Sequence, residues 1–274
     1  MRPERFIFNA HSIQDFLRCP RRFELKYILN QSWPAPISEP VLEYENRMRL
    51  GTDFHHIVHQ YLSGIDAEKL KQLSLSQELN YWFVNFQKFF TSHKFNHYSS
   101  EISITLPFQE NIIKAVIDFV GVNEEDQLII AEWKTSEFLP KKEIISNTVQ
   151  SILYPYMIYE CRKNIFPDIN IDHEDIEMIY WFPNYPEILI DLKYSQEKHD
   201  LNHRYLADII NRIQNTRSDA FNKTENLKIC SYCEFRSLCE RGIQPGYYDS
   251  KNPDMVLDQL IDDIQFEDSL EISF

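Results

Sequence analysis

Three charged residues could carry chemistry here: Asp118 and, fourteen positions later, Glu132-x-Lys134. Asp118 interrupts the apolar run Ala115-Val116-Ile117-Asp118-Phe119-Val120. Glu132 interrupts Leu128-Ile129-Ile130-Ala131-Glu132-Trp133-Lys134. An ionised carboxylate inside an apolar strand is costly unless it is paired or binds a metal. Alternation along a strand puts Glu132 and Lys134 on one face, and Asp118 joins them if the two runs pair. Two carboxylates suit Mg2+ or Mn2+, and a lysine beside them can orient or help deprotonate a metal-bound water. This is equipment for attacking a phosphodiester. The plainer alternative is a buried Glu132–Lys134 ion pair with Asp118 at a strand end, because structural ion pairs also populate strands.

A second set of chemically capable residues is the cysteines. Cys230-x2-Cys233-x5-Cys239 forms a triplet near the C-terminus, and Cys19 lies in Leu17-Arg18-Cys19-Pro20 near the other end. Four thiolates suit a tetrahedral zinc or an iron–sulfur cluster, and spacing alone does not separate the two. If all four serve one centre, the metal closes the domain by joining its ends. The fifth, Cys161, sits in an apolar helical run and reads as a core residue.

These groups need elements to hold them. Ser12-Ile13-Gln14-Asp15 reads as a helix N-cap with a capping-box-like acid, opening a helix to about Leu29 with a break at Pro20. Residues 31–44, with three prolines, read as a loop. Helices are expected over about Asn46 to Leu62 and Ser76 to Ser92. Alternation at Ile102, Ile104 and Leu106 then predicts a strand. Ile112 to Val122 and Gln127 to Lys134 follow as strands of a meander, with Asn123-Glu124-Glu125-Asp126 as turn chemistry. A helix from about Glu143 to Lys163, strands at 175–183 and 187–193, and a helix at 196–216 complete the order. The pattern predicts a mixed α/β domain with one main core.

Composition narrows the classes. The 43% hydrophobic and 14% aromatic content allows a large packed core, and only 5 glycines argue against a phosphate-cradling loop fold. No run of 18 uncharged apolar residues predicts a membrane span. Met1-Arg2-Pro3-Glu4-Arg5 lacks a signal-peptide pattern, so the expected location is cytoplasmic. In that reducing compartment clustered cysteines are metal ligands rather than disulfides. The net charge of −14 argues against a general nucleic-acid coat protein. Seven of those negative charges lie in residues 254–274, which contain no Lys or Arg, so basic patches remain open elsewhere.

With these residues in place, a resemblance becomes specific. Asp118 followed by Glu132-x-Lys134 resembles the PD-(D/E)XK nuclease superfamily. More narrowly, the chain resembles its RecB-like branch that carries an iron–sulfur cluster. That branch includes CRISPR-associated iron–sulfur exonucleases and the AddB nuclease domain. Cys19-Pro20 within Ser12 to Arg22, Gly51-Thr52-Asp53-Phe54-His55, Gln150-x-x-x-Tyr154 and the cysteine triplet are similar to that branch's motifs, in its order. Ala115 and Ser136 stand where many relatives have Gly, which touches backbone fit and removes no chemical group.

The resemblance implies a restriction-endonuclease-like mixed central sheet flanked by helices, its N- and C-terminal parts joined by a four-cysteine cluster. It implies a nuclease domain over 1–245 and an acidic tail over 246–274. His55, Asp118 and Glu132 would hold Mg2+ or Mn2+, with Asp118, Glu132 and Lys134 catalytic. Gln150, Tyr154 and Glu101 would be supporting or substrate-binding groups. Cys19, Cys230, Cys233 and Cys239 would hold a [4Fe-4S] cluster, with Zn2+ as the alternative. The implied partner is DNA, as single strands or ends, in repair or in CRISPR spacer processing, with a helicase or CRISPR adaptation partner.

Plainer explanations stand beside these. Spacing cannot choose among His55, His56 and His59. His55 and His59 at i, i+4 lack the intervening Glu of a zinc peptidase. Arg18, Arg21 and Arg22 suit a solvated helix face as well as phosphates. The tail's Met255, Leu257, Leu260, Ile261 and Ile264 suit an amphipathic helix packed on the body or a phosphate-mimicking tail. The competing function is a non-catalytic module that holds DNA ends or a partner on the same fold.

Overall fold

The computed structural model describes residues 6–32, 39–72, 75–231 and 233–242. The acidic tail expected over 246–274 lies outside the described residues.

The chain opens with a two-residue strand, β1 (Ile7–Phe8), and then helix α1 (Ala10–Arg18). The cap is Asn9, not Ser12. Asn9 Oδ1 accepts from the Ser12 amide at 2.7 Å, and Ser12 Oγ accepts from the Asn9 amide at 3.0 Å. The expected box is therefore real but starts three residues earlier, because Ser12 fills the reciprocal position. Cys19 is extended, with φ −155°, as its neighbour Pro20 requires. The helix resumes as α2 (Pro20–Phe23) and runs into a π-helical turn over Glu24–Ile28.

Helix α3 (Glu39–Leu62) begins seven residues before the expected start at Asn46. The proline that suggested a loop, Pro40, sits in its first turn, where no helical amide donor is needed. A short helix that the sequence reading missed, α4 (Ala67–Lys71), leads to α5 (Gln77–Ser92). Ser76 caps α5, its Oγ accepting from the Leu79 amide at 3.1 Å.

Strand β2 (Phe95–Phe108) is longer than expected and pairs antiparallel with β3 (Asn111–Asn123) along its length. The turn to β4 (Leu128–Trp133) is held by Asn123 Oδ1, which accepts from the Glu125 and Gln127 amides at 3.0 and 2.9 Å. The expected helix 143–163 is two helices, α6 (Lys142–Ile145) and α7 (Val149–Ile165). Thr148 separates them by capping α7: its Oγ1 accepts from the Ser151 amide at 3.3 Å. A 3-10 turn (His173–Asp175) precedes β5 (Ile176–Trp181), followed by β6 (Leu189–Lys193), α8 (Gln196–Asn215) and the short α9 (Leu227–Cys230).

The six strands form one mixed sheet in the order β1-β3-β4-β5-β6, with β2 on the other edge of β3. Pairing is parallel for β1–β3 and β4–β5 and antiparallel for β2–β3, β3–β4 and β5–β6. One face packs on α1, α7 and α8 through Ile13, Leu153, Met157, Leu206 and Ile210. The other packs on α3 and α5 through an aromatic layer of Phe54, Trp82, Phe86, Trp133 and Trp181. Phe86 lies 5.0 Å from Trp133, edge to face. At Gly121 an added Cβ would stand 2.9 Å from the Phe119 ring, so glycine allows that ring's close approach. None of the described helices is long and apolar enough to cross a membrane.

Helix α7 depends on its cap, because Thr148 is buried and also bonds the Ile145 carbonyl at 2.9 Å. Thr148→Ala should cost about 1 kcal/mol, within the usual range for a lost cap. Chemical denaturation read by circular dichroism checks this, and a change under a few tenths of a kcal/mol would remove the role given to the cap.

Candidate active site

The ladder between β3 and β4 stops one step before the two acids meet. Its last pair is Phe119 with Ala131. Beyond it, the side chains of Asp118 and Glu132 take over the bonding between strands. The Trp133 amide donates to Asp118 Oδ2 at 2.8 Å, and the Asp118 amide donates to Glu132 Oε1 at 3.3 Å. Each acid thereby bonds a backbone amide of the opposite strand.

Strand β2 is irregular at the same level. Glu101 falls between the pairs Ser100–Phe119 and Ile102–Ile117, and its φ of +52° is left-handed. The inside–outside alternation slips here. Ile113, Ala115 and Ile117 face one core, Phe119 faces the other, and Val120 and Val122 return to the first. The slip lets acids sit between two apolar layers that would otherwise exclude them.

His55 reaches this point from α3, where Phe54 and Val58 anchor it in the aromatic layer. Its Nδ1 lies 3.1 Å from Asp118 Oδ1 and 4.0 Å from Glu101 Oε1. Lys134 Nζ donates to Glu132 Oε2 at 3.2 Å, with both side chains fully buried. Lys134 lies one residue past β4, held in line by its amide bond to the Trp181 carbonyl at 2.9 Å. Of the three neighbouring histidines, the fold selects His55. His59 instead bonds Ser100 Oγ at 2.8 Å, and His56 is exposed.

Ligand-capable atoms of His55, Glu101 and Asp118 all lie within 4.8 Å of one another. Glu101, a peripheral candidate in the sequence, is thus a central one. Glu132 stands beside this group, touching the Asp118 amide and Lys134. Carboxylate oxygens with one imidazole suit a hard divalent cation. Oε2 of Glu101 is buried and accepts no hydrogen bond, as fits an oxygen kept for such a cation.

The electrostatics agree. Burial first, and then the neighbouring Asp118, push the Glu101 and Glu132 carboxyls up to about 8. Lys134 and His55 offset this only in part for Glu132. A cation in the group would relieve the repulsion.

Gln150 and Tyr154 share one face of α7, and Gln150 Nε2 donates to Tyr154 Oη at 3.2 Å. Burial, with the charge of Glu132 next, pushes the Tyr154 phenol well above its usual range. It therefore remains a neutral hydroxyl under the acids. Tyr180 was not marked by the sequence. Parallel pairing puts it in register with Glu132, and its hydroxyl bonds Ser151 Oγ at 2.7 Å. Only strand pairing reveals it.

Cys19 acts electrostatically on each cysteine of the C-terminal triplet. Burial raises the Cys230, Cys233 and Cys239 thiols, Cys233 to about 11. Cations counter this, chiefly Arg241 at Cys230, Arg22 at Cys233 and Lys223 at Cys239. The segment after Cys19 also touches the segment before the cysteine triplet. The Arg21 amide donates to the Asn222 carbonyl at 3.2 Å, and Phe23 stacks on Phe221 at 6.2 Å.

A family model described as the PD-(D/E)XK nuclease superfamily matches residues 8–240. The chain belongs to the PD-(D/E)XK nuclease superfamily. Members of this superfamily are nucleases that use divalent metals. No curated protein matches the chain. A crystal structure of SSO0001 matches with 14% identity over 86% of each chain, at a TM-score of 0.36.

The raised acids give a pH signature. A carboxyl whose folded pKa is raised stabilises the fold below its unfolded pKa and loses that contribution as pH rises through the folded one. For Glu101 and Glu132 the window runs from 4.5 to about 8. The metal-free protein should lose thermal stability across it. Mn2+ should restore stability most at the alkaline end and release protons on binding. Thermal melts at pH 5, 6.5 and 8, with and without Mn2+, check this. A flat metal-free profile would contradict the assigned electrostatics.

Proposed function

We propose that this protein is a Mg2+- or Mn2+-dependent deoxyribonuclease of the RecB-like, iron–sulfur branch, acting as an exonuclease on single-stranded DNA or DNA ends. The observation that carries the reading is the Lys134 ammonium on Glu132, beside the His55, Glu101 and Asp118 group. His55, Asp118 and Glu101 hold the cation, with Glu132 completing its charge balance. A bound divalent ion lowers the pKa of water and neutralises charge on the leaving oxygen. Lys134 lies beside the acids and directs the attacking water. Tyr154 and Gln150 form a neutral floor that adds no further negative charge.

His55, Asp118, Glu132 and Lys134 are at most 1% exposed, and Glu101, 13% exposed at its side chain, is the most accessible of the group. The strand and end preference is carried over from the resemblance to the RecB-like branch.

The cysteine centre is read as a structural [4Fe-4S] cluster. That choice follows the resemblance of Cys19 and the Cys230-x2-Cys233-x5-Cys239 triplet to the branch's motifs, and the Cys19 thiol acts electrostatically on each thiol of the triplet. Their surrounding arginines and lysine offset its thiolate charge.

Two measurements test this reading. Anaerobically purified protein is assayed with Mg2+ and Mn2+ on end-labelled single- and double-stranded DNA. Lys134→Ala should lower cleavage by about a hundredfold or more while the protein still melts cooperatively. Undiminished cleavage by that variant removes the assignment, and binding without cleavage by the native chain favours a DNA-holding module. Separately, Cys19→Ser should lose bound iron and its visible absorbance and lower the melting temperature. Full iron content in that variant would exclude Cys19 as a ligand.

A further inference from the structure

We propose that Asn184 is a positioning residue for Lys134, clamping the segment that follows it. The proposal rests on the nuclease reading above.

After Lys134 the chain leaves the sheet, and its amide bond to the Trp181 carbonyl is the last backbone link of β4 to β5. The next two residues, Thr135 and Ser136, lie beyond the end of β4. Asn184, in the loop after β5, holds them. Its Nδ2 donates to the carbonyls of Thr135 and Ser136, each at 3.2 Å. Both protons of one amide nitrogen are thus spent on successive carbonyls.

Asn184 is itself held on its other side. Its Oδ1 accepts from the Trp82 indole at 2.7 Å. Trp82 is 3% exposed and lies edge to face with Phe54 at 5.7 Å, the residue before His55. Asn85 Nδ2 donates to the Pro183 carbonyl at 3.1 Å, fixing the backbone just before Asn184. The clamp thus ties the helix α5, the α3 residue beside His55 and the exit from Lys134 into one frame. Two further contacts hold the same segment. Tyr185 Oη donates to the Glu137 carbonyl, and Arg47 of α3 pairs with the Glu137 carboxylate.

A buried lysine is a long, flexible side chain, so its amine is only as well placed as the backbone beneath it. Small misplacements are costly in catalysis, since about 1 Å can lose on the order of a hundredfold in rate. Asn184 contacts neither the acids nor the Lys134 amine in this network, so its effect acts through Lys134 and not on binding of metal or DNA.

The test uses the full-length protein and Asn184→Leu, with Trp82→Phe as a second variant that removes the indole donor and shrinks the buried ring while leaving Asn184 in place. Amide hydrogen exchange of residues 134–137 should accelerate by about tenfold or more in Asn184→Leu, because the segment loses the two bonds its carbonyls accept and opens more often. In the same variant kcat for DNA cleavage should fall by about tenfold or more, with KM for DNA and Mn2+ affinity within about twofold of native. Trp82→Phe should shift both readouts in the same direction by less. Unchanged exchange at 134–137 overturns the proposal, and so does faster exchange with an unaltered kcat. If the native chain cleaves no DNA, the nuclease reading fails by itself, and the exchange of 134–137 still decides whether the clamp exists.

Discussion

The structure depends on one costly arrangement: two fully buried carboxylates between two apolar layers, with a third, Glu101, at their edge. Glu101, Asp118 and Glu132 meet where β3 and β4 part and where β2 and β3 lose their alternation. Such burial is unfavourable unless the charge is matched. Backbone amides of Asp118 and Trp133, the His55 ring and the Lys134 amine supply part of the match. The rest is the natural place for a divalent cation, since burial and the neighbouring Asp118 push the Glu101 and Glu132 carboxyls up.

The surroundings can be understood as support for that arrangement. The aromatic layer of Phe54, Trp82, Phe86, Trp133 and Trp181 locks α3 and α5 against the sheet and so fixes the approach of His55. On the other face, α7 places neutral hydroxyls from Tyr154, with Tyr180 beside it, under Glu132. A charged or water-filled floor there would screen the acids. The contacts between Phe23 and Phe221 and between Arg21 and Asn222 join the segment after Cys19 to the segment before the cysteine triplet.

Much of this was legible in the chain itself. The order of helices and strands was legible from apolar runs and their periodicity, with β4 and β5, buried on both faces, showing as near-continuous apolar runs. Errors came where a local signal had two meanings. Pro40 looked like a loop residue and is a first-turn helix residue. Ser12 looked like a cap and is the reciprocal partner of Asn9. Thr148 divided one expected helix into two. β1 and α4 were missed because two and five residues give no period to detect.

By itself the sequence determined the chemical inventory: acids and a lysine at strand spacing, four cysteines, and the motifs of a nuclease superfamily. Residue types and spacing carry that information because alternation along a strand is local. Only the tertiary structure decided which groups meet. It chose His55 over His56 and His59, drew Glu101 into the centre beside Asp118, and set Tyr180 in register with Glu132. It also placed Asn184 on the exit from Lys134. These contacts join residues far apart in the chain. They follow from strand register and helix packing, which no local pattern encodes.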